Sequence, residues 1–427
     1  MNIFEVVEDS NSLFKSKKPN VFERYRDDQL SKKRGAFFVR LAIYIYTLLM
    51  AVLRYSRAES DKLKRIEKNK TIYVYETQNQ KRALSVLYKE DKEKHTLSFH
   101  HFYSADSSLN EVLPLILGLI SLPYYVIYFL FFDFKHRILI DKYLISFGYY
   151  LYFRFFLPVN VTNVVVANDH TERLRAFAHA CKTRSIKITY VQHSPVNSAF
   201  PPLNLYDISM LDGQSSLDTY MNTGPVLGEV ILSGAIRNFF LKTDVDLVCE
   251  HDRKTFGIGI NTLVDVKKLT GLVGDISNKH PDHKVIIRLH PSQMKEHSMF
   301  SSIFDSELIH VSGAWEQSTM EFINTIDVLF AGSSSIHLDA LAAGVLAVMV
   351  DIDTEFSDYY LFQQRGCVIA FCDFLNLDVS RYTDVCACSI DKARYYDFAL
   401  GMNSTQQQVI LKNCLNKIKE NKSPQVL

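Results

Sequence analysis

The feature that most constrains this 427-residue chain is a repeating unit. A short run of β-branched and apolar residues ends in a polar cluster, and a helix-patterned stretch follows. Val161–Ala167 (VTNVVVA) ends at Asn168-Asp169-His170 and leads into a helical pattern over Glu172–Lys182. Lys187–Val191 ends at Gln192-His193-Ser194-Pro195, Tyr206–Leu211 at Asp212-Gly213, and Glu229–Leu232 at Ser233-Gly234. Continuous apolar runs of this length fit strands buried on both faces, as in parallel sheets with helices on each side. Upstream, Thr71–Tyr75 (TIYVY) and Thr96–His100 read as strands around a helix that reaches about Glu90.

A second block begins near Thr255. Phe256–Ile260 predicts a strand, Val264–Asn278 a helix, and Lys284–Leu289 a strand ending at His290-Pro291. Leu308–Val311 predicts a short strand and Met320–Asn324 a short helix. Asp327–Phe330 runs into Ala331-Gly332-Ser333-Ser334-Ser335, then a helix over Ile336–Ala343, a Gly344 cap and a strand at Leu346–Val350. Two blocks of alternating strands and helices predict an α/β protein with two Rossmann-like domains, and the length suits two cores. The expected division is a basic helical extension over 1–70, then a Rossmann-like acceptor domain over 71–250 with a hydrophobic hairpin at 108–157. A donor domain over 251–395 and a C-terminal helix over 396–427 complete it.

Ligands of open parallel sheets bind beyond the carboxyl ends of strands, where these polar clusters fall. Gly332 and Ser333, Ser334 and Ser335 open a helix, so unpaired N–H groups and hydroxyls there suit a phosphate. Asp339, one turn on, is placed for ribose hydroxyls. His290 projects where Pro291 stops its strand, and Arg288 and Arg237 are further cations for an anionic donor. In the first block a general base for an acceptor hydroxyl would be His193 first, with Asp169 and Asp212 as alternatives.

Net charge is +1, which gives no global basic field for nucleic acid. Seven cysteines without a C-x-x-C pair offer no zinc spacing and suit a reducing compartment. Asp351-Ile-Asp353 and Asp244-Val-Asp246 match the D-x-D pattern of metal-dependent transferases, but that pattern is short and common. His100-His101 lacks neighbouring ligands, and Gly257-Ile-Gly259 lacks the third glycine of a dinucleotide fingerprint. No metal or other cofactor is expected.

Charge is uneven. Residues 1–70 hold 16 Lys and Arg against 9 Asp and Glu, around the apolar stretch Ala36–Leu53. Val112–Phe132 is a second apolar run without charge, interrupted by Pro114 and Pro123, and Leu144–Leu157 is a third. The leading reading is a buried helical hairpin. Contact with an anionic leaflet comes second and a true span last. The first 30 residues lack a signal-peptide core, so the expected location is the cytoplasm, with peripheral inner-membrane contact as the alternative.

With IIRLHP (286–291), DVLFAGSSSIHLDALAAG (327–344), a QHSP turn (192–195) and SGAIRN (233–238), the chain resembles GT-B transferases of bacterial surface polysaccharides. The resembling group contains capsular Kdo transferases, sialyl- and polysialyltransferases and CDP-glycerol glycerophosphotransferases. The likeness covers roughly 160–350, and Ser194 stands where that group usually has glycine. It implies transfer of a sugar from a nucleotide-activated donor, cytidine first, to a glycan or lipid-linked glycan acceptor. His290 and Ser333–Ser335 would hold the phosphate without a metal. The alternatives are a CDP-polyol phosphotransferase of the same fold and a non-catalytic glycan-binding scaffold.

Overall fold

The computed structural model describes residues 36–55, 71–91, 94–98, 112–132, 139–167, 171–197, 200–236, 255–354, 358, 360–396 and 404–419. Asp169, Arg237, Asp244-Val-Asp246 and His100-His101 lie outside them. Chain contacts divide into two units. The first takes in residues 1–211, 217–232 and 409–427, and the second 212–216 and 233–408.

The first unit opens with α1 (Ala36–Tyr55), β1 (Thr71–Tyr75), α2 (Gln78–Glu90) and β2 (Lys94–Ser98). Thr77 and Gln80 form a reciprocal capping box that starts α2. The expected hairpin follows as three helices: α3 (Val112–Ile120), α4 (Leu122–Phe131) and α5 (Ile140–Phe156). Then come β3 (Asn163–Val166), α6 (Glu172–Thr183), β4 (Lys187–Val191), β5 (Ile208–Leu211), α7 (Gln214–Thr223) and β6 (Glu229–Leu232). The sheet is fully parallel, in the order β2-β1-β3-β4-β5-β6. Every residue of β3 is buried, as a strand covered on both faces requires.

The helical run 112–132 is not one helix. Pro123 lies in the first turn of α4, and α3 and α4 bend by 48° at that break. No single helix among the described residues is long and apolar enough to cross a membrane, though the bent pair passes on length and composition. Helix α5, apolar on nearly every side, is core: most of its residues are buried against α1, α3 and α6. The high tyrosine and phenylalanine content is used here. Tyr125 and Phe129 meet Tyr143 with ring centroids at 5.4 and 5.0 Å, and Phe153 meets Phe177 at 4.7 Å.

The second unit runs β7 (Thr255–Gly259), α8 (Val266–Lys279), β8 (Lys284–Leu289), a 3₁₀ turn (Pro291–Glu296), α9 (His297–Ile303), β9 (Ile309–Gly313) and α10 (Thr319–Ile323). It continues with β10 (Val328–Ala331), α11 (Ile336–Ala342), β11 (Leu346–Met349), β12 (Ile369–Ala370), α12 (Phe371–Leu375) and α13 (Tyr382–Tyr396). This sheet is also parallel, in the order β12-β11-β10-β7-β8-β9. The direction of strand addition reverses at β7. A crevice at the carboxyl ends of β7 and β10 is where such sheets place a ligand.

The final helix, α14 (Ser404–Lys419), returns to the first unit over its last residues. Lys417 Nζ lies 3.4 Å from Glu229, and Lys419 Nζ lies 3.1 Å from the buried Asp91. Lys187 Nζ donates to the Lys417 carbonyl.

Candidate functional site

Register brings the phosphate-side candidates to one edge. Ala331 pairs with Gly259, and Gly259 pairs with Arg288, across β10, β7 and β8. Gly332 and His290 therefore leave the sheet from strands roughly 10 Å apart, with β7 between them.

His290 caps the 3₁₀ turn. Its Nδ1 accepts from the Ser292 N–H at 3.3 Å, and the Gln293 side chain accepts from the His290 N–H at 3.1 Å. With Nδ1 an acceptor, the ring proton sits on Nε2, a donor away from the turn. Desolvation, then the charge of Arg288, lowers the pKa of His290 and so favours the neutral ring. Arg288 donates Nη2 to the Gln317 carbonyl at 3.3 Å and to Thr319 Oγ1 at 3.4 Å, and lies over the Phe322 ring. Burial lowers its pKa, and the negative charge of Asp339 opposes that shift. The buried Arg288 Nε has no hydrogen-bond partner among the described residues.

The serine loop is held from beneath by a residue that sequence reasoning set aside. Asp353 is 1% exposed, and its carboxylate accepts from the Ser333 N–H and from Asn261 Nδ2, both at 3.1 Å. A Cβ on Gly332 would lie 2.3 Å from Asp353 Oδ2, so only glycine leaves room for this contact. Asp351 instead pairs with Lys268 at 2.7 Å. The D-x-D match thus separates into a surface ion pair and a loop support. Ser333 gives its N–H to Asp353, while Ser334 Oγ accepts from the Ile336 N–H at 3.4 Å. Ser335 is the N-cap of α11 without a side-chain cap bond. Helix α11 has seven residues, within one of the expected Ile336–Ala343.

Under the same loop, His337 is fully buried and donates Nε2–H to the Gly332 carbonyl at 3.0 Å. Burial pushes its pKa down to about 4. The unfolded ring takes up a proton near pH 6.5 and the native ring resists, so stability falls as pH drops from 6.5 towards 4. That gap corresponds to about 3 kcal/mol. Asp353, whose pKa burial raises, acts in the opposite direction. The histidine contribution is therefore read as the difference between wild type and His337→Gln, followed by fluorescence of Trp315, the chain's single tryptophan. Identical acid profiles for the two proteins would remove this assignment.

His193 belongs to the first unit. It is half-buried beyond β4, beside Gln192, whose side chain donates to the Ser194 carbonyl at 2.9 Å. Asp212 follows β5 and is buried. Among the described residues no group of three or more His, Cys, Asp or Glu is placed to hold a metal ion. Asn261 and Asp353 also follow strands of the second sheet, and that position was the signal that could have found them.

No family model and no curated protein matches the sequence. Solved structures do match. One is a Listeria monocytogenes protein described as a UDP-N-acetylglucosamine 2-epimerase, at 13% identity and TM-score 0.55, covering 84% of this chain and 98% of that one. Another is S. aureus MnaA in a co-structure with UDP, at 13% identity and TM-score 0.54, covering 83% and 99%. A third is the Neisseria meningitidis UDP-GlcNAc 2-epimerase bound to UDP-GlcNAc, at 11% identity and TM-score 0.50, covering 81% and 99%. At these identities the likeness establishes the fold. It is the α/β GT-B architecture of two Rossmann-like domains.

Proposed function

We propose that the chain is a glycosyltransferase that moves a sugar from a nucleotide-activated donor onto a bacterial surface polysaccharide or glycolipid acceptor. The observation that carries this reading is the grouping at the carboxyl edge of the second sheet. The hydroxyls of Ser333, Ser334 and Ser335, the Nε2–H of His290 and the unmet Nε–H of Arg288 supply donors for a leaving phosphate without a metal. Asp339 is assigned to the ribose and Arg237 to a second phosphate contact. His193 is assigned as the base that accepts the acceptor hydroxyl's proton, with Asp212 and Asp169 as its alternatives. The nucleotide is a pyrimidine, cytidine by the resemblance of the HP and serine motifs.

The test is a thermal-shift series with CMP, CDP, UDP and GDP on wild type and His290→Asn. Asparagine keeps an acceptor for the cap, and its shorter amide cannot set a donor where the His290 Nε2–H stands. A nucleotide at a hundred times its Kd adds about 2.7 kcal/mol to the unit that binds it. In a unit of this size that raises Tm by roughly 5–10 °C. The expected result is a cytidine response at least halved in His290→Asn. A response to UDP alone would replace the donor, and no response to any nucleotide would overturn the reading in favour of a non-catalytic scaffold.

A second reading has its own support, because the matched structures at TM-scores of 0.50 and above include UDP-GlcNAc 2-epimerases. Release of an epimerised nucleotide sugar without any acceptor would favour it. Phosphate retained in the product linkage would favour the CDP-polyol phosphotransferase.

A further inference from the structure

We infer that the outer face of α1, α3 and α4 is a docking surface for an anionic lipid bilayer, on which the protein lies without spanning it. This surface is independent of the reaction proposed above.

Helix α1 is fixed by its inner side. Arg40 pairs with Asp141 of α5 at 3.4 Å, both nearly fully buried, and the Tyr44 hydroxyl donates to the Leu115 carbonyl of α3 at 2.5 Å. Its other side is apolar and bare. Phe38, Ile45, Tyr46, Leu49 and Val52 recur at helical spacing, and Phe38 is 73% exposed. Helix α3 also turns its inner side to α5, where Gly118 meets the Leu144 carbonyl. The outer stripes of α1 and α3 therefore both face away from α5. On α3 and α4, Ile120, Ile127 and Phe131 are exposed as well, the last 76%. So many large apolar side chains exposed on three neighbouring helices call for an occupant.

Charge identifies the occupant. Helices α1, α3 and α4 contain no acidic residue, and their only charged residues are Arg40 and Arg54. The sequence around α1 carries the surplus of the first 70 residues, 16 basic against 9 acidic. At the end of α5, exposed Arg154 stands beside exposed Phe155 and Phe156. Apolar helices without an acidic residue, set in a net-basic stretch of sequence, suit an interfacial surface on anionic lipid. A second copy of the chain would fit less well, since a two-fold interface would set the two basic regions against each other. A span is disfavoured by the 48° bend between α3 and α4.

The experiment is co-sedimentation of the full chain with POPC/POPG (7:3) vesicles and with POPC vesicles. Binding to the POPG-containing vesicles is expected to be at least tenfold tighter and to weaken with added salt. Tyr46→Glu/Leu49→Glu on α1 and Ile127→Glu/Phe131→Glu on α4 are each expected to lower it at least tenfold. Their far-UV circular dichroism and melting should stay unchanged, because these side chains are exposed. If either pair melts early, Tyr46→Ser/Leu49→Ser and Ile127→Ser/Phe131→Ser repeat the test without added charge. The inference is overturned by absence of binding to POPG vesicles, or by equal binding to POPC. It is also overturned if the lipid-free protein is a dimer that the same substitutions dissociate, which assigns the face to a second copy.

Discussion

Gly332→Ala is expected to destabilise the second unit by about 3 kcal/mol and to abolish its response to nucleotide, although the change adds one methyl group. The reason is the carboxylate behind the loop. The added Cβ would lie 2.3 Å from Asp353 Oδ2 and 2.7 Å from its Cγ. Asp353 cannot swing aside freely, because its two oxygens are bonded to Asn261 and to the Ser333 N–H in a site closed to water. Moving it breaks bonds to a charged group, each contributing about 1.5–3 kcal/mol. Moving the loop instead loosens the Gly332 carbonyl from His337 and displaces the serine hydroxyls. Trp315 follows this unit selectively, since it packs against Gly313 and His297 there. The mechanism is tested by a double-mutant cycle with Asp353→Ser, which frees the space that the methyl needs. The double variant should be at least 1 kcal/mol more stable than the sum of the single effects predicts. Strict additivity would show that the clash is not what the methyl group disturbs.

The same loop shows which placements local sequence pattern carries and where it stops. Gly332-Ser333-Ser334-Ser335, His290 and Arg288 were legible because each follows or ends a buried strand, and strand ends can be read from local pattern. Their grouping was legible in part, since the strand order that sets β7 between β10 and β8 is a property of the sheet. The support beneath them was not legible. Asp353 lies 20 residues from Ser333 and reached attention only as half of a D-x-D match, a pattern that says nothing about partners. His337 read as part of a helix, and only tertiary packing shows it buried against the Gly332 carbonyl. In the first unit, the parallel strands followed from VTNVVVA and its neighbours, whereas the apolar helices were ambiguous for a physical reason. A helix that is apolar on all sides satisfies both a protein core and a membrane. Contacts decide it: α5 is enclosed, while α1 and the α3–α4 pair each cover only one side.

That enclosure leads to the largest expected effect. Gly148→Ala should destabilise the first unit by about 4 kcal/mol, above the usual range for adding a methyl group, because the obstacle is backbone. The new Cβ would lie 2.0 Å from the Pro114 carbonyl oxygen and 2.8 Å from the Gly118 nitrogen. Neither atom has a rotamer to change. Gly118 is constrained in turn, because a Cβ there would meet the Tyr44 hydroxyl at 2.3 Å and the Leu144 carbonyl at 2.4 Å. The close approach of α3 to α5 thus depends on two glycines, and α1 is fastened to that pair through Tyr44 and Arg40. Separating α3 from α5 must release α1 as well, so one methyl group should loosen the whole outer helical layer. Far-UV circular dichroism should show the loss as an early melting step, while the Trp315 transition of the second unit shifts much less. An unchanged far-UV melt would show that α3 and α5 do not meet backbone to backbone. If the early step appears, the same variant should also lose its grip on POPG vesicles, because the apolar face exists only while α1 and α3 are held in place by α5.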